Sequence, residues 1–389
     1  MYGKSLLGWL IFTLLGTGLR IGLNYFAGSV QQAINPTLVQ PPYNIPREIR
    51  EFHQTLRIAD LHSDALLWNH DLTRKNSIGH VDIPSLMEGN IALQVFSVVT
   101  QVPRSEEEFV FGNGEDQITL LSMVELWPPQ TWFNLTERAL YQAGKLEHVE
   151  KQMDGRFMIV TTRQELDGFL AGRMNNPQVV GGILSLEGAH SFEADLENID
   201  TFYQAGFRII GLTHFFDNDT GGASFGTQKG GVTPYGRALV TKLEEKDMII
   251  DLAHASPALI QDVLAITPRP ILVSHTGVQG VCPNPRNLSN QEVIQIAERG
   301  GVIGIGYGPL FNCAPGLRPI IRSIKYVADL VGVEHVALGS DYDGLIQAPF
   351  DPTGLPFITK ELIKEGFKEE EIRMIMGENV FQFLGENLP

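Results

Sequence analysis

Eight apolar runs of strand length alternate with helix-patterned segments along this 389-residue chain, and several of the runs end in a histidine or a carboxylate. Strands alternating with helices imply a parallel sheet, and eight such units suffice to close a barrel. The predicted fold class is therefore α/β, a TIM-like (β/α)8 barrel. In that architecture the C-terminal strand ends collect polar side chains at one mouth.

The candidate strands lie near 58–62, 91–99, 180–186, 208–213, 248–253, 271–275, 302–306 and 336–340. Apolar residues at three- and four-residue spacing predict helices between them over Thr233–Lys246, Pro257–Ala265, Asn290–Arg299 and Arg318–Val331. The stretch from Glu106 to Gly155 is too long for one crossover. It reads as an insertion carrying helices over Glu115–Glu125 and Leu135–Gln152, followed by a helix over Arg163–Leu170. Glu369–Leu384 is amphipathic and is expected to pack against the barrel wall. Residues 36–47, rich in proline and polar side chains, read as a linker. No second linker follows, so 48–389 reads as one domain.

The first 35 residues differ in character. Lys4 precedes an apolar stretch from Leu6 to Ala27 broken by Arg20, Asn24 and a few small polar residues. Such a stretch fits a secretory signal, for which Ala27-Gly28-Ser29 is a tolerable cleavage site, or a retained anchor in which Arg20 lies near one interface. An N-terminal helix packed on the protein's own body is the alternative. Export is expected, with the rest of the chain outside the cytoplasm and membrane contact through the N-terminus if it is uncleaved. With 29 basic against 45 acidic residues the formal charge is −16, which excludes nucleic acid as a partner. The cysteines, Cys282 and Cys313, either pair, closing a loop worth roughly 3–4 kcal/mol, or remain two buried thiols.

The strand ends carry the chemistry. His62 and Asp64 in Asp60-Leu61-His62-Ser63-Asp64 share one face of an extended strand and can hold one cation together. Glu187, His254 and His275 each follow a later apolar run. A lone acid or histidine at a strand end is more often a cap or a surface residue, but five such strand ends, Asp341 after the run 335–340 included, argue for a metal site. Histidines with carboxylates suit zinc, with manganese or cobalt as substitutes. One ion would take His62 and Asp64, a second His254 and His275, with Glu187 bridging. Two Zn2+ ions per chain would then generate a bridging hydroxide for attack on a carbonyl. Asp341 is a candidate proton acceptor and donor, the alternative being a turn cap beside Gly344. His214, after another apolar run, can hydrogen-bond a developing oxyanion, and Arg286 can clamp a carboxylate, unless it is a surface ion pair. His190 reads as structural.

In this order the motifs resemble the membrane dipeptidase family, the renal-type zinc dipeptidases of the amidohydrolase superfamily. The resemblance rests on Asp60-Leu61-His62-Ser63-Asp64, Glu187-Gly188-Ala189-His190, Leu212-Thr213-His214, Asp251-Leu252-Ala253-His254, Ser274-His275, Arg286-Asn287 and Asp341-Tyr342-Asp343-Gly344. It implies two zinc ions on His62, Asp64, Glu187, His254 and His275, substrate contacts from His214 and Arg286, Asp341 at the reacting centre, and a Cys282–Cys313 bridge. It also implies hydrolysis of small dipeptides with free amino and carboxyl termini, often with a D-residue at the C-terminal position. Homodimerisation is a habit of the family that the resemblance alone carries. The competing readings are hydrolysis of another amide, such as an N-acyl amino acid or a β-lactam, and a non-catalytic tethered binding protein.

Overall fold

Nine parallel strands are found among the described residues of the computed structural model, which cover 22–23, 25–103 and 116–389. They are β1 (Ile58–Asp60), β2 (Ile91–Val99), β3 (Phe157–Ile159), β4 (Val180–Glu187), β5 (Phe207–Gly211), β6 (Ile249–Asp251), β7 (Leu272–Thr276), β8 (Val302–Ile305) and β9 (Val336–Leu338). Eight of them close a barrel in the order β1-β2-β4-β5-β6-β7-β8-β9 and back to β1. All eight expected strands are present.

The ninth strand, β3, has no counterpart in the sequence reading. It pairs with Val180, Gly181 and Gly182 of β4, on the edge that β5 takes over from Leu184 onward. Glycine at 182 makes room for it, since a Cβ there would lie 2.4 Å from the Phe157 ring.

Alternation along the strands sorts side chains into two layers. Ile183, Ile209, Ile249, Leu272, Val302 and Ala337 form one apolar cluster with Phe381 and Leu384 of the C-terminal helix, which floors the barrel. Their chain neighbours Leu184, Ile210, Ile250, Val273, Ile303 and Leu338 belong to the cluster beneath the surrounding helices. Above the floor the same inward positions turn polar, with Asp251 and Ser274 buried.

The helices follow local signals. Ser289 and Glu292 form a capping box before Asn290–Glu298, and Ser256 caps Pro257–Ile266, where proline sits in the first turn. The C-terminal helix departs from expectation, because Glu369–Arg373 and Asn379–Asn387 are separated by a π turn over Met374–Glu378. At Gly377 a Cβ would lie 2.1 Å from the Arg57 carbonyl, so the close approach to the start of β1 breaks the regular helix.

Residues 36–39, in the stretch read as a linker, lie along the loop after β9, with Thr37 bridged to Ala348. The expected apolar segment from Leu6 falls, through residue 21, outside the described residues, as do residues 106–115 of the expected insertion. Among the described residues no helix is long and apolar enough to cross a membrane.

His53 fastens the helix Arg47–His53 to two other elements. The Thr359 hydroxyl lies 2.8 Å from its Nδ1 and the Gly89 carbonyl 3.1 Å from its Nε2, an arrangement that one neutral tautomer satisfies fully. Burial lowers its pKa to about 4. A histidine depressed in the fold takes up its proton first in the unfolded chain. Its contribution is therefore complete above pH 6.5 and is lost as pH falls toward 4, by up to about 3 kcal/mol. Replacing His53 with Gln should flatten this part of the stability–pH curve between pH 6.5 and 4, measured by urea unfolding at intervals of half a pH unit.

Candidate active site

The strand ends deliver their polar groups to a single cavity of about 310 Å³, lined by Asp64, Glu187, His214, His254, His275, Arg286 and Asp341. Glu187, buried at the end of β4, lies at the centre. Its Oε2 is 3.6 Å from His62 Nε2, while its Oε1 is 3.0 Å from His254 Nε2, 3.5 Å from His275 Nε2 and 3.6 Å from His214 Nε2. His62 Nε2 also lies 3.4 Å from Asp64 Oδ1 and 3.8 Å from Asp341 Oδ1. The structure thus brings together every residue that the sequence singled out for the site. His190 stands behind it, with its Nε2 3.0 Å from the Thr100 hydroxyl.

Local backbone geometry aims these groups. On β7, pairing with β8 slips by one residue between Val273 and Thr276, and this bulge lets Ser274 and His275 both serve the site although they are chain neighbours. His254 and Asp341 have φ of 65° and 62°, a left-handed conformation that non-glycine residues adopt at a cost.

A polar frame, missed in the sequence reading, holds the ring of ligands from below. The Ser274 hydroxyl lies 3.0 Å from His275 Nδ1 and 3.3 Å from His62 Nδ1, which leaves both Nε2 atoms facing Glu187. Ser274 is in turn held by Asp251, whose Oδ1 accepts the Ser274 and Ala253 amides at 2.9 Å. Asp60 plays the corresponding part on the other side, accepting from the Ser340 amide at 2.7 Å and from Gln94 Nε2 at 3.0 Å. The available signal was an Asp and a Ser repeated within the strand-end motifs, but their partners are set only by the closed barrel.

The electrostatics are those of a site short of positive charge. Burial raises Asp64 to about 7, with Glu187 adding to the shift. Burial, helped by Asp64 and Glu187, also holds Asp341 well above the usual carboxylate range. Burial would lower His62, but the Glu187 and Asp64 carboxylates outweigh it and hold that histidine well above its ordinary value. His254 and His275 are driven well below theirs, first by burial and then by cationic neighbours that include Arg286.

The donor set fits divalent metal. His62 Nε2, Asp64 Oδ1 and Glu187 Oε2 are buried without hydrogen-bond partners. Three groups have ligand atoms close enough to share an ion: His62, Glu187 and His275; Glu187, His214 and His254; and His62, Asp64 and Asp341. Imidazole nitrogens with carboxylate oxygens are the usual ligands of zinc and its neighbours in the first transition row.

Arg286 occupies the opposite wall. Its Nη2 donates to the His275 carbonyl at 2.9 Å and its guanidinium lies 5.3 Å from the centre of the Phe311 ring. Nε is buried without a partner. Burial lowers the pKa to about 10, so the group stays charged at neutral pH. Cys282 and Cys313 form a disulfide joining the loops after β7 and β8, on either side of this wall.

A closed parallel barrel whose mouth gathers four histidines and three carboxylates around one cavity is the architecture of a metal-dependent hydrolase. The chain belongs to the membrane dipeptidase family, peptidase family M19, whose profile matches residues 46–387, and it is a metallodipeptidase. It is similar to dipeptidase AC, a metallopeptidase of family M19, at 25% identity and a TM-score of 0.72, over 86% of this chain and 99% of that one. A metallopeptidase from Rhodobacter sphaeroides carrying a phosphinate mimic of the dipeptide L-Ala-D-Ala matches with the same identity, coverage and TM-score. Dipeptidase aclJ of Aspergillus oryzae is 24% identical over 85% of this chain and 78% of its own length, and dipeptidase verJ of Clonostachys rogersoniana is 26% identical over 80% and 76%.

Metal that binds only the folded chain stabilises it by mass action, about 2.7 kcal/mol at a free concentration one hundred times Kd. Removing metal with a chelator should therefore lower the melting temperature by several degrees, and adding back a divalent first-row transition metal should restore it in differential scanning calorimetry. An identical melting temperature with and without metal would contradict the site.

Proposed function

We propose that the protein is a zinc dipeptidase holding two ions, one on His62 and Asp64 and one on His254 and His275, with Glu187 shared between them. The observation that carries this reading is the division of the Glu187 oxygens, Oε2 toward His62 and Oε1 toward His254 and His275. When bound, such ions supply Lewis acidity and bring the pKa of water from 15.7 toward neutrality. The substrates are dipeptides with both termini free, including those with a D-residue at the C-terminal position. The L-Ala-D-Ala mimic held by the Rhodobacter sphaeroides relative supports that class.

The protein's own groups have separable tasks. Arg286 binds the substrate carboxylate through its buried, unpaired Nε and the remaining N–H groups of its fork. Within the protein it faces the buried carboxylates Asp341, Glu187 and Asp251 rather than a surface acid. His214 has its Nδ1 3.3 Å from the Gln101 carbonyl, which leaves Nε2 facing the cavity. Burial holds the His214 pKa below its ordinary value, so the ring is neutral, and the tautomer with its proton on Nε2, beside Glu187, is the one that donates to the developing oxyanion. Asp341, 3.8 Å from His62, takes the proton from the attacking water and delivers it to the leaving amine. Leu310 and Phe311 add apolar surface to the same cavity, Phe311 beneath the Arg286 guanidinium.

The N-terminal segment is proposed to export the chain or hold it at a membrane, with the catalytic barrel outside the cytoplasm. Its apolar run from Leu6 to Ala27 supports this.

Arg286→Ala should raise KM for simple dipeptides about 10- to 100-fold, in line with about 1.5–3 kcal/mol for hydrogen bonds to a charged group, while kcat changes less. Asp341→Asn should lower kcat about 100- to 10,000-fold. Both are checked by steady-state kinetics on an L-L and L-D dipeptide panel with metal content measured on the same samples. Fully metallated protein that turns over no dipeptide in the panel would sink the proposal.

A further inference from the structure

We propose that residues Asn35–Val39, which precede the family's matched region, are positioning residues of the active site, holding the loop that runs from Asp341 to Ala348. This rests on the assignment of Asp341 to catalysis.

The loop needs external support. Asp341, Asp343 and Leu345 all have φ between 61° and 64°, and none is glycine. A backbone of this kind persists only where its surroundings over-determine it. The first half of the loop is tied to the barrel. The Asp343 carboxylate accepts the His80 and Val81 amides at 2.7 and 3.0 Å, Trp68 Nε1 donates to the Asp343 carbonyl at 2.9 Å, and the Asp64 amide donates to the Tyr342 carbonyl at 2.8 Å.

The second half is tied to the N-terminal segment instead. The Ile346 amide donates to Asn35 Oδ1 at 3.2 Å, and the Ala348 amide to the Pro36 carbonyl at 3.0 Å. In return the Leu38 and Val39 amides donate to the carbonyls of Ala348 and Pro349 at 2.9 and 3.1 Å. This is a short parallel pairing centred on Thr37 and Ala348. Leu345, Ile346 and Gln347, which it holds, line the catalytic cavity together with Asp341.

The strap is itself anchored. Asn35 is buried, and one turn earlier Gln31 Nε2 lies 3.1 Å from His70 Nδ1. The matched family region begins at residue 46, so this wall of the cavity is held by chain outside it.

The test uses the full chain loaded with zinc, comparing the parent with Asn35→Ala, Asn35→Asp and Leu38→Pro. Asn35→Ala removes the acceptor for the Ile346 amide, Asn35→Asp retains one, and Leu38→Pro removes a single N–H from the pairing. Hydrogen exchange of the 344–349 amides, metal content, and kcat and KM for one dipeptide are read well below each variant's melting temperature. Asn35→Ala and Leu38→Pro should accelerate exchange in 344–349 and lower kcat/KM by about fivefold or more, the scale of one lost hydrogen bond, at unchanged metal content. Asn35→Asp should recover most of both. Unchanged exchange in 344–349 overturns the proposal, and so does faster exchange with unchanged kcat/KM, which would make the strap merely structural. A parent protein that is metallated but inactive on dipeptides would instead overturn the proposed function, and the exchange data would still report whether the strap holds the loop.

Discussion

Asp64, Glu187 and Asp341 are buried together within reach of one another's charge, and the rest of the site follows from that constraint. Burying an ionised carboxylate costs several kcal/mol unless a cation compensates it. The protein itself supplies Arg286 and a proton on His62, which is too little for three acids so close together. Protonation of Asp341 and Asp64 is the response available to the protein alone, and divalent ions are the response that the unpartnered ligand atoms are placed to receive. The three buried carboxylates are thus placed where cations compensate them.

Such a site must be held apart by something other than its own attractions. The apolar floor of the barrel fixes the strands, and the buried pairs Asp60–Ser340 and Asp251–Ser274 fix the strand ends. Ser274, by engaging Nδ1 of both His62 and His275, sets which nitrogen of each ring faces Glu187. Strain is carried in the same region. The left-handed backbone at His254 and Asp341 costs roughly 1–2 kcal/mol at each position, small against the free energy of a packed barrel but enough to require the surrounding hydrogen bonds.

Much of this was legible in the sequence because the physics behind it is local. Alternation and helical spacing located all eight barrel strands, and His62 and Asp64 declared themselves by i, i+2 spacing at a strand end. What escaped depends on contacts between distant segments. Phe157–Ile159 is a strand only because Gly182 leaves space for the Phe157 ring, and the helix breaks at Met374–Glu378 because Gly377 meets the Arg57 carbonyl. The bulge that turns Ser274 and His275 to the same task is invisible to alternation, which would send neighbours to opposite faces. The Asn35 contact with Ile346 spans 311 residues, and no periodicity could announce it.

The carboxylate wall shows how preorganisation is distributed. A guanidinium left mobile would lose rotamer freedom on every binding event, at a cost of about 0.5–1.5 kcal/mol for such a side chain. Here Arg286 is already fixed by the His275 carbonyl on one side and the Phe311 ring on the other. Asn287, the next residue, donates through its side chain to the carbonyls of both Cys282 and Phe311, at 2.7 and 2.8 Å, so the two loops are stitched beside the disulfide that joins them. The bridge therefore does more than shorten the unfolded chain. It keeps the aromatic support and the arginine on one rigid piece, and in the role proposed for Arg286 the free energy of its contact with a substrate carboxylate would go into binding rather than into ordering the loops.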